Sequence, residues 1–213
     1  GLKAYKIHPP GKSLAEDIEI HRAVRDAVGA DFPLMSDPVA PYSLDEAVRL
    51  GRELERLDYL WLEEPLPDES FGALRELARI LDIPVIGTEV LPKPPYSVAE
   101  CLATRVVDGV RADPSWSGGV TGTLRTARLA EAFHAPCELH TTIFHPLELV
   151  SLHLNGAIGN SRYLEVLWPM ETFAFGLVAP LPIRNGIAKI PEGPGLGIAL
   201  DRDLIENDTL ELL

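Results

Sequence analysis

Residues 59–89 read Tyr59-Leu60-Trp61-Leu62-Glu63-Glu64, then an amphipathic stretch Phe71–Leu81, then Ile83-Pro84-Val85-Ile86-Gly87-Thr88-Glu89. A short apolar run ends in an acid, helical spacing follows, and a second apolar run ends in an acid. Runs of this length bounded by Pro and Gly read as buried parallel strands, and the stretch between them as the crossover helix. Working outward, the same unit recurs. Further runs are Ala4–His8, Pro33–Asp37, Gly109–Asp113, Ala135–His140 and Arg162–Val166. Each carries an ionisable residue at or near its end. The spacing from Lys6 to Asp37 is 31 residues, and the later intervals, through Glu63, Glu89, Asp113, His140 and Glu165, are 26, 26, 24, 27 and 25. One βα unit occupies about this length.

The helical stretches carry their own start signals. Ser13 with Glu16 and Ser43 with Glu46 have capping-box spacing. Ser97–Val107, Gly119–Phe133 and Leu147–Leu154 complete the set. Seven βα units in series predict a (β/α) barrel or a doubly wound sheet. No G-x-G-x-x-G follows the first strand, and Gly118-Gly119 is a lone pair, which weakens a dinucleotide-binding reading. A barrel gathers the strand ends on one face, whereas an open sheet spreads them along an edge. Seven strand-end residues drawn from Lys, His, Asp and Glu therefore favour the barrel.

The bulk numbers fit one large core. The chain has 213 residues, 46% of them hydrophobic, with a mean hydropathy of +0.07. The net charge of −13 argues against a nucleic-acid or anionic-membrane partner. No apolar run reaches transmembrane length. Two cysteines, Cys101 and Cys137, are too few for a disulfide framework. A cytoplasmic enzyme is the expectation. The chain opens on what reads as a strand, with no Met, so a fragment is expected.

Asp37, Glu63 and Glu89 end three consecutive predicted strands. Acids converging there repel unless a cation neutralises them, and an all-oxygen donor set suits Mg²⁺ rather than zinc. Lys6 and His8 are two apart on one strand and share a face. Asp113 and His140 end neighbouring strands, where the carboxylate orients the ring and raises its basicity. Glu165, on the last run, is placed to give a proton or hydrogen bond. His21, His134, His145 and His153 are assigned to helix surfaces, helix faces or the loop before Pro146.

Taken together these residues resemble the mandelate-racemase group of the enolase superfamily. The group's Lys-x-Lys strand appears as Lys6-Ile7-His8, and its metal ligands match Asp37, Glu63 of Glu63-Glu64-Pro65, and Glu89 of Gly87-Thr88-Glu89. Its sixth-strand Asp matches Asp113, followed by Gly118-Gly119-Val120-Thr121. Its seventh-strand His matches His140 after Pro136, and its last Glu matches Glu165. Phe175-Gly176-Leu177 through Pro194-Gly195-Leu196-Gly197 is similar to the C-terminal return segment, which sets residues 170–213 apart within a single barrel domain 1–213. Two departures are His8 for the usual second Lys and Val39 where many members have Asn.

The resemblance implies an α/β fold, a partial TIM-type (β/α)7β barrel without the first strand and capping domain. It implies Mg²⁺-assisted removal of the proton α to a carboxylate of a small-molecule substrate. Catalytic roles fall to Lys6, His8, Asp113, His140 and Glu165, and metal ligation to Asp37, Glu63 and Glu89. Dehydration of a sugar acid is the leading expectation, with racemisation or epimerisation as the alternative and a homo-oligomer when full length. A non-catalytic remnant is the competing class, and residues 1–213 alone are expected to be nearly inactive.

Overall fold

The computed structural model describes residues 1–141, 145–173 and 176–209. Six parallel strands lie in sequence order as a curled half-barrel: β1 (Tyr5–Ile7), β2 (Leu34–Ser36), β3 (Leu62–Glu63), β4 (Val85–Gly87), β5 (Gly109–Ala112) and β6 (Cys137–Leu139). Helices α1 (Leu14–Val28), α2 (Leu44–Arg56), α3 (Phe71–Ile80), α4 (Tyr96–Ala103) and α5 (Gly119–Ala132) form the crossovers, and α6 (His145–Asn155) follows β6.

Side-chain alternation divides the strands into two faces. Ile7, Leu34, Leu62, Val85, Val110, Ala112, Cys137 and Leu139 join the main core against the helices. The alternate positions include Met35, Trp61 and Ile86, which form a separate apolar cluster with Tyr163 packed against it. They also include Lys6, Asp37, Glu63, Arg111, Asp113, Glu138 and His140. Because the strands are parallel, the C-terminal members of this set emerge at one end of the sheet.

Local signals locate the helices. Ser13 caps α1 by accepting from the Glu16 amide. Ser43 and Glu46 form the full capping box of α2, worth about 1 kcal/mol. After β5 the chain turns through Gly118 and Gly119, at φ 83° and 70°. Both angles are left-handed and favour glycine. The Ser117 carbonyl would lie 1.7 Å from a Cβ at Gly122. The Gly118-Gly119 pair thus supplies the turn that starts α5.

The last predicted strand, Arg162–Val166, is not a strand. Its amides leave the ladder, and the Glu138 carboxylate of β6 accepts instead from Arg162 N (3.1 Å), Tyr163 N (3.2 Å) and Ser161 Oγ (3.2 Å). A side chain thereby replaces a backbone edge, while Cys137 N still donates to Asn160 O at 2.8 Å. The C-terminal residues add the short helix α7 (Met170–Phe173), the hairpin β7 (Ile183–Arg184) and β8 (Ile187–Ala188), and α8 (Arg202–Asn207). The hairpin turns on Asn185-Gly186, both at positive φ, as a two-residue hairpin loop requires. Leu177 and Leu181 pack on Leu149 and Leu152 of α6. Phe175 of the expected return segment, and residues 210–213, lie outside the described residues, as does the His145 side chain. Among the described residues no helix is long and apolar enough to cross a membrane.

Candidate active site

The predicted residues gather in two adjoining groups at the C-terminal ends of the strands. In the first, the Lys6 ammonium lies 2.9 Å from Asp37 Oδ2, 2.7 Å from Glu63 Oε1 and 3.3 Å from Glu165 Oε1. Burial and the neighbouring Arg111 oppose its charge, but Glu63, Glu165 and Asp37 outweigh them and hold its pKa above the usual lysine value. Glu63 is fully buried. Desolvation pushes its carboxyl up, yet Arg111 and Lys6 bring it down to about 2. Its other oxygen accepts from Trp61 Nε1 at 3.0 Å. Glu165 is likewise lowered: burial opposes, and the charges of Arg111 and Lys6 prevail. Asp37 is raised by desolvation and by Glu63. His8 Nε2 lies 3.5 Å from Asp37 Oδ2, and its side chain is 54% exposed. Val39, the other departure, is exposed at φ 60°.

The second group is Asp113, His140 and Glu89. His140 Nδ1 is 2.7 Å from Asp113 Oδ2 and 3.3 Å from Glu89 Oε1. Asp113 is held by its own turn: its amide donates to Ser117 Oγ at 3.1 Å. Burial raises the Asp113 carboxyl, but hydrogen bonds from His140 and Ser115 bring it below its ordinary value. Desolvation raises Glu89 to about 7, despite the charges of His140 and Arg111. The Trp116 ring stacks on the His140 ring at 6.3 Å and 23°.

Several participants escaped the sequence reading. Arg111 is 2% exposed; its Nε lies 2.8 Å from Glu63 Oε1 and its terminal nitrogen contacts Glu165 Oε2. The available signal was its position two residues before Asp113, hence on the same face. Glu64 and Asp68 were also passed over. They accept from the amides of Glu89 (3.0 Å), Thr88 (2.8 Å) and Val90 (3.3 Å), clamping the loop that carries Glu89. Glu64 lies at about 9, raised by burial and by Asp68 and Glu89.

The donor chemistry of Asp37, Glu63 and Glu89 suits a hard divalent cation, and burial, with the charge of Glu63 nearby, keeps Asp37 and Glu89 raised despite their cationic neighbours. Their arrangement is not a closed ligand set. Lys6 occupies the space between Asp37 and Glu63, Glu89 faces His140, and among the described residues no three His, Cys, Asp or Glu side chains are spaced to hold a metal ion. A cavity of about 470 Å³ is lined by Lys6, His8, Trp61, Arg111 and Glu165 among others.

Residues 1–204 match the family model described as enolase C-terminal domain-like. The chain belongs to that family. This enolase-type domain is 28% identical over 207 residues to arabinonate dehydratase of Saccharolobus solfataricus, covering 97% of the chain and 55% of the relative. It is 30% identical to 3,6-anhydro-alpha-L-galactonate cycloisomerase of Streptomyces coelicolor, covering 94% and 54%. The structure of D-glucarate dehydratase from Agrobacterium tumefaciens complexed with magnesium superposes with a TM-score of 0.88 at 33% identity, covering 97% of the chain and 56% of that structure. The domain spans about half the length of the curated relatives it matches. Its relatives are acid-sugar dehydratases and related mandelate-racemase and muconate-cycloisomerase type enzymes.

Proposed function

We propose that the protein containing this domain removes the proton α to the carboxylate of a sugar acid, with Mg²⁺, and loses water to give a 2-keto-3-deoxy acid. The observation that carries this reading is the Asp113–His140 pair, 2.7 Å apart, next to a cluster of buried carboxylates. An α-proton is too weakly acidic for a side-chain base alone. Asp37, Glu63 and Glu89 would hold the cation, which would supply stabilisation of the negative charge that develops on the substrate carboxylate.

The protein's own residues account for the proton traffic. With Asp113 accepting from Nδ1–H, His140 keeps the lone pair of Nε2 for the substrate proton. The protonated ring then gives that proton to the departing β-hydroxyl as water. Glu165 hydrogen-bonds the substrate, and Lys6 adds positive charge. The relatives' dehydratase activities support this reaction class by analogy.

Dehydration is preferred to racemisation on one geometric ground. A racemase needs a competent acid or base on each face of the carbon. Here the Lys6 ammonium donates to Asp37 and Glu63 and lies 3.3 Å from Glu165, and His8 is more than half exposed beside Asp37, so neither is as free and as firmly oriented a base as His140. The test is a panel of sugar acids incubated with the full-length enzyme and Mg²⁺ in D₂O. A semicarbazide-reactive keto acid is expected. Deuterium at the α-carbon with inversion and no keto acid would establish the racemase reading instead.

A further inference from the structure

We infer that Arg111 is a positioning residue that fixes Glu165 relative to Glu63, doing for the Glu165 segment what a strand ladder does elsewhere in the sheet. This rests on the proposed reaction, in which Glu165 touches substrate and Glu63 serves the cation.

Glu165 stands apart from the other proposed site residues. Every other proposed site residue sits on a strand of the sheet or within two residues of one. Residues 161–167 have no strand assignment, so no ladder sets the register of Glu165. Two side chains on neighbouring strands take over. Arg111 and Glu138 are direct cross-strand partners of β5 and β6. Glu138 holds the Arg162 and Tyr163 amides, and Arg111 holds the Glu165 carboxylate.

The grip is two-sided. Lys6 lies against Glu165 Oε1 and Arg111 against Oε2. Both cations also meet Glu63 Oε1, at 2.7 and 2.8 Å, while Trp61 Nε1 occupies Glu63 Oε2. Two cations and two carboxylates thus close a ring of ion-pair contacts, in which the directed hydrogen bond of Arg111 goes to Glu165, while its Nε lies against Glu63 without hydrogen-bond alignment. A guanidinium can hold one acid by a hydrogen bond and a second by charge at a fixed spacing, because its nitrogens form a rigid planar fork. An ammonium is a point charge and cannot do so with fixed angles. Val110 and Ala112, on either side of Arg111, pack into the main core, which fixes the root of the side chain.

The test uses the full-length enzyme with Arg111→Met, which keeps bulk but not charge, and Arg111→Lys, which keeps charge but not the fork. Read-outs are kcat, KM, Mg²⁺ affinity by calorimetry, and melting midpoint. Arg111→Met is expected to lower kcat about 100-fold, the scale of a misplacement of about 1 Å, with KM within about threefold. Its Mg²⁺ affinity should be unchanged or tighter, because a positive charge beside Glu63 is gone. Arg111→Lys should recover about tenfold of the lost kcat, since the charge returns without the fork. A kcat within threefold of wild type in Arg111→Met would overturn the inference. So would loss of kcat in both variants matched by loss of Mg²⁺ binding and cooperative melting, which would make Arg111 a structural counter-ion.

A double-mutant cycle with Glu165→Gln gives a read-out independent of turnover. The double variant should lower the midpoint by less than the two single shifts combined. Wild-type enzyme that neither binds Mg²⁺ nor turns over any acid would end the proposed function, and the cycle would still decide the tie, because additive shifts refute it.

Discussion

The carboxylate of Asp113 lies 2.7 Å from Nδ1 of His140, although 27 residues separate them in the chain. The pair joins the ends of adjacent strands, and the ring's other side is covered by Trp116. The imidazole is therefore fixed in both tilt and tautomer. Asp113→Asn preserves the shape but can present an amide N–H to Nδ1, which removes the tautomer that leaves Nε2 basic. In the full-length enzyme kcat should fall about 10²- to 10⁴-fold, with KM little changed. Steady-state kinetics on a turned-over sugar acid check it.

Glu138 is the anchor of the segment that bears Glu165. It is 4% exposed and accepts from three groups of residues 161–163. Glu138→Ala leaves the part-buried amides of Arg162 and Tyr163 without their acceptor, at about 1–3 kcal/mol for each group that water does not reach. The expected loss of unfolding free energy is about 2–5 kcal/mol by denaturant titration. Glu138→Gln, which keeps one acceptor oxygen, should lose clearly less.

His21 gives a pH signature away from the catalytic groups. It is fully buried, with Nδ1 2.6 Å from the Asp17 carbonyl and Nε2 2.7 Å from Ser36 Oγ. Desolvation lowers its pKa below 6.5, and the Asp17 hydrogen bond and charge only partly offset this. The unfolded chain therefore binds this proton at a higher pH than the folded one does. Its contribution to stability is complete above about pH 6.5 and is lost as pH falls from there toward the folded pKa, with a limiting slope of about 1.4 kcal/mol per pH unit. Comparing denaturation midpoints of wild type and His21→Gln between pH 7.5 and 5 should show a shallower decline in the variant.

The sequence made the periodic features legible and hid the compensating ones. Six of the seven apolar runs became strands because each alternates a helix-facing apolar residue with an inward one, as Leu34, Met35 and Ser36 do. Leu164 and Val166 have the same alternation, yet their segment is not a strand, and the amides that lead into it, of Arg162 and Tyr163, go to Glu138. A carboxylate-for-ladder exchange leaves no mark in hydrophobic spacing. Strand-end acids were readable because a run stops at them. Arg111 sits inside a run, where its charge reads as an exception to the apolar pattern, and only its partners Glu63 and Glu165, 48 and 54 residues away in sequence, explain it. Lys6 was placed correctly on the inner face, but its bridging of Asp37, Glu63 and Glu165 depends on side-chain reach that spacing does not encode. His8 shares that face and remains largely in solvent, because it lies beyond the end of β1.

The most direct test of the account is His140→Asn in the full-length enzyme, assayed with Mg²⁺ and a turned-over sugar acid in D₂O, following keto-acid formation and α-deuterium incorporation together. With the base gone, both should fall by several orders of magnitude while substrate and Mg²⁺ still bind. Keto-acid formation within about tenfold of wild type would contradict the assignment of proton abstraction to the Asp113–His140 pair.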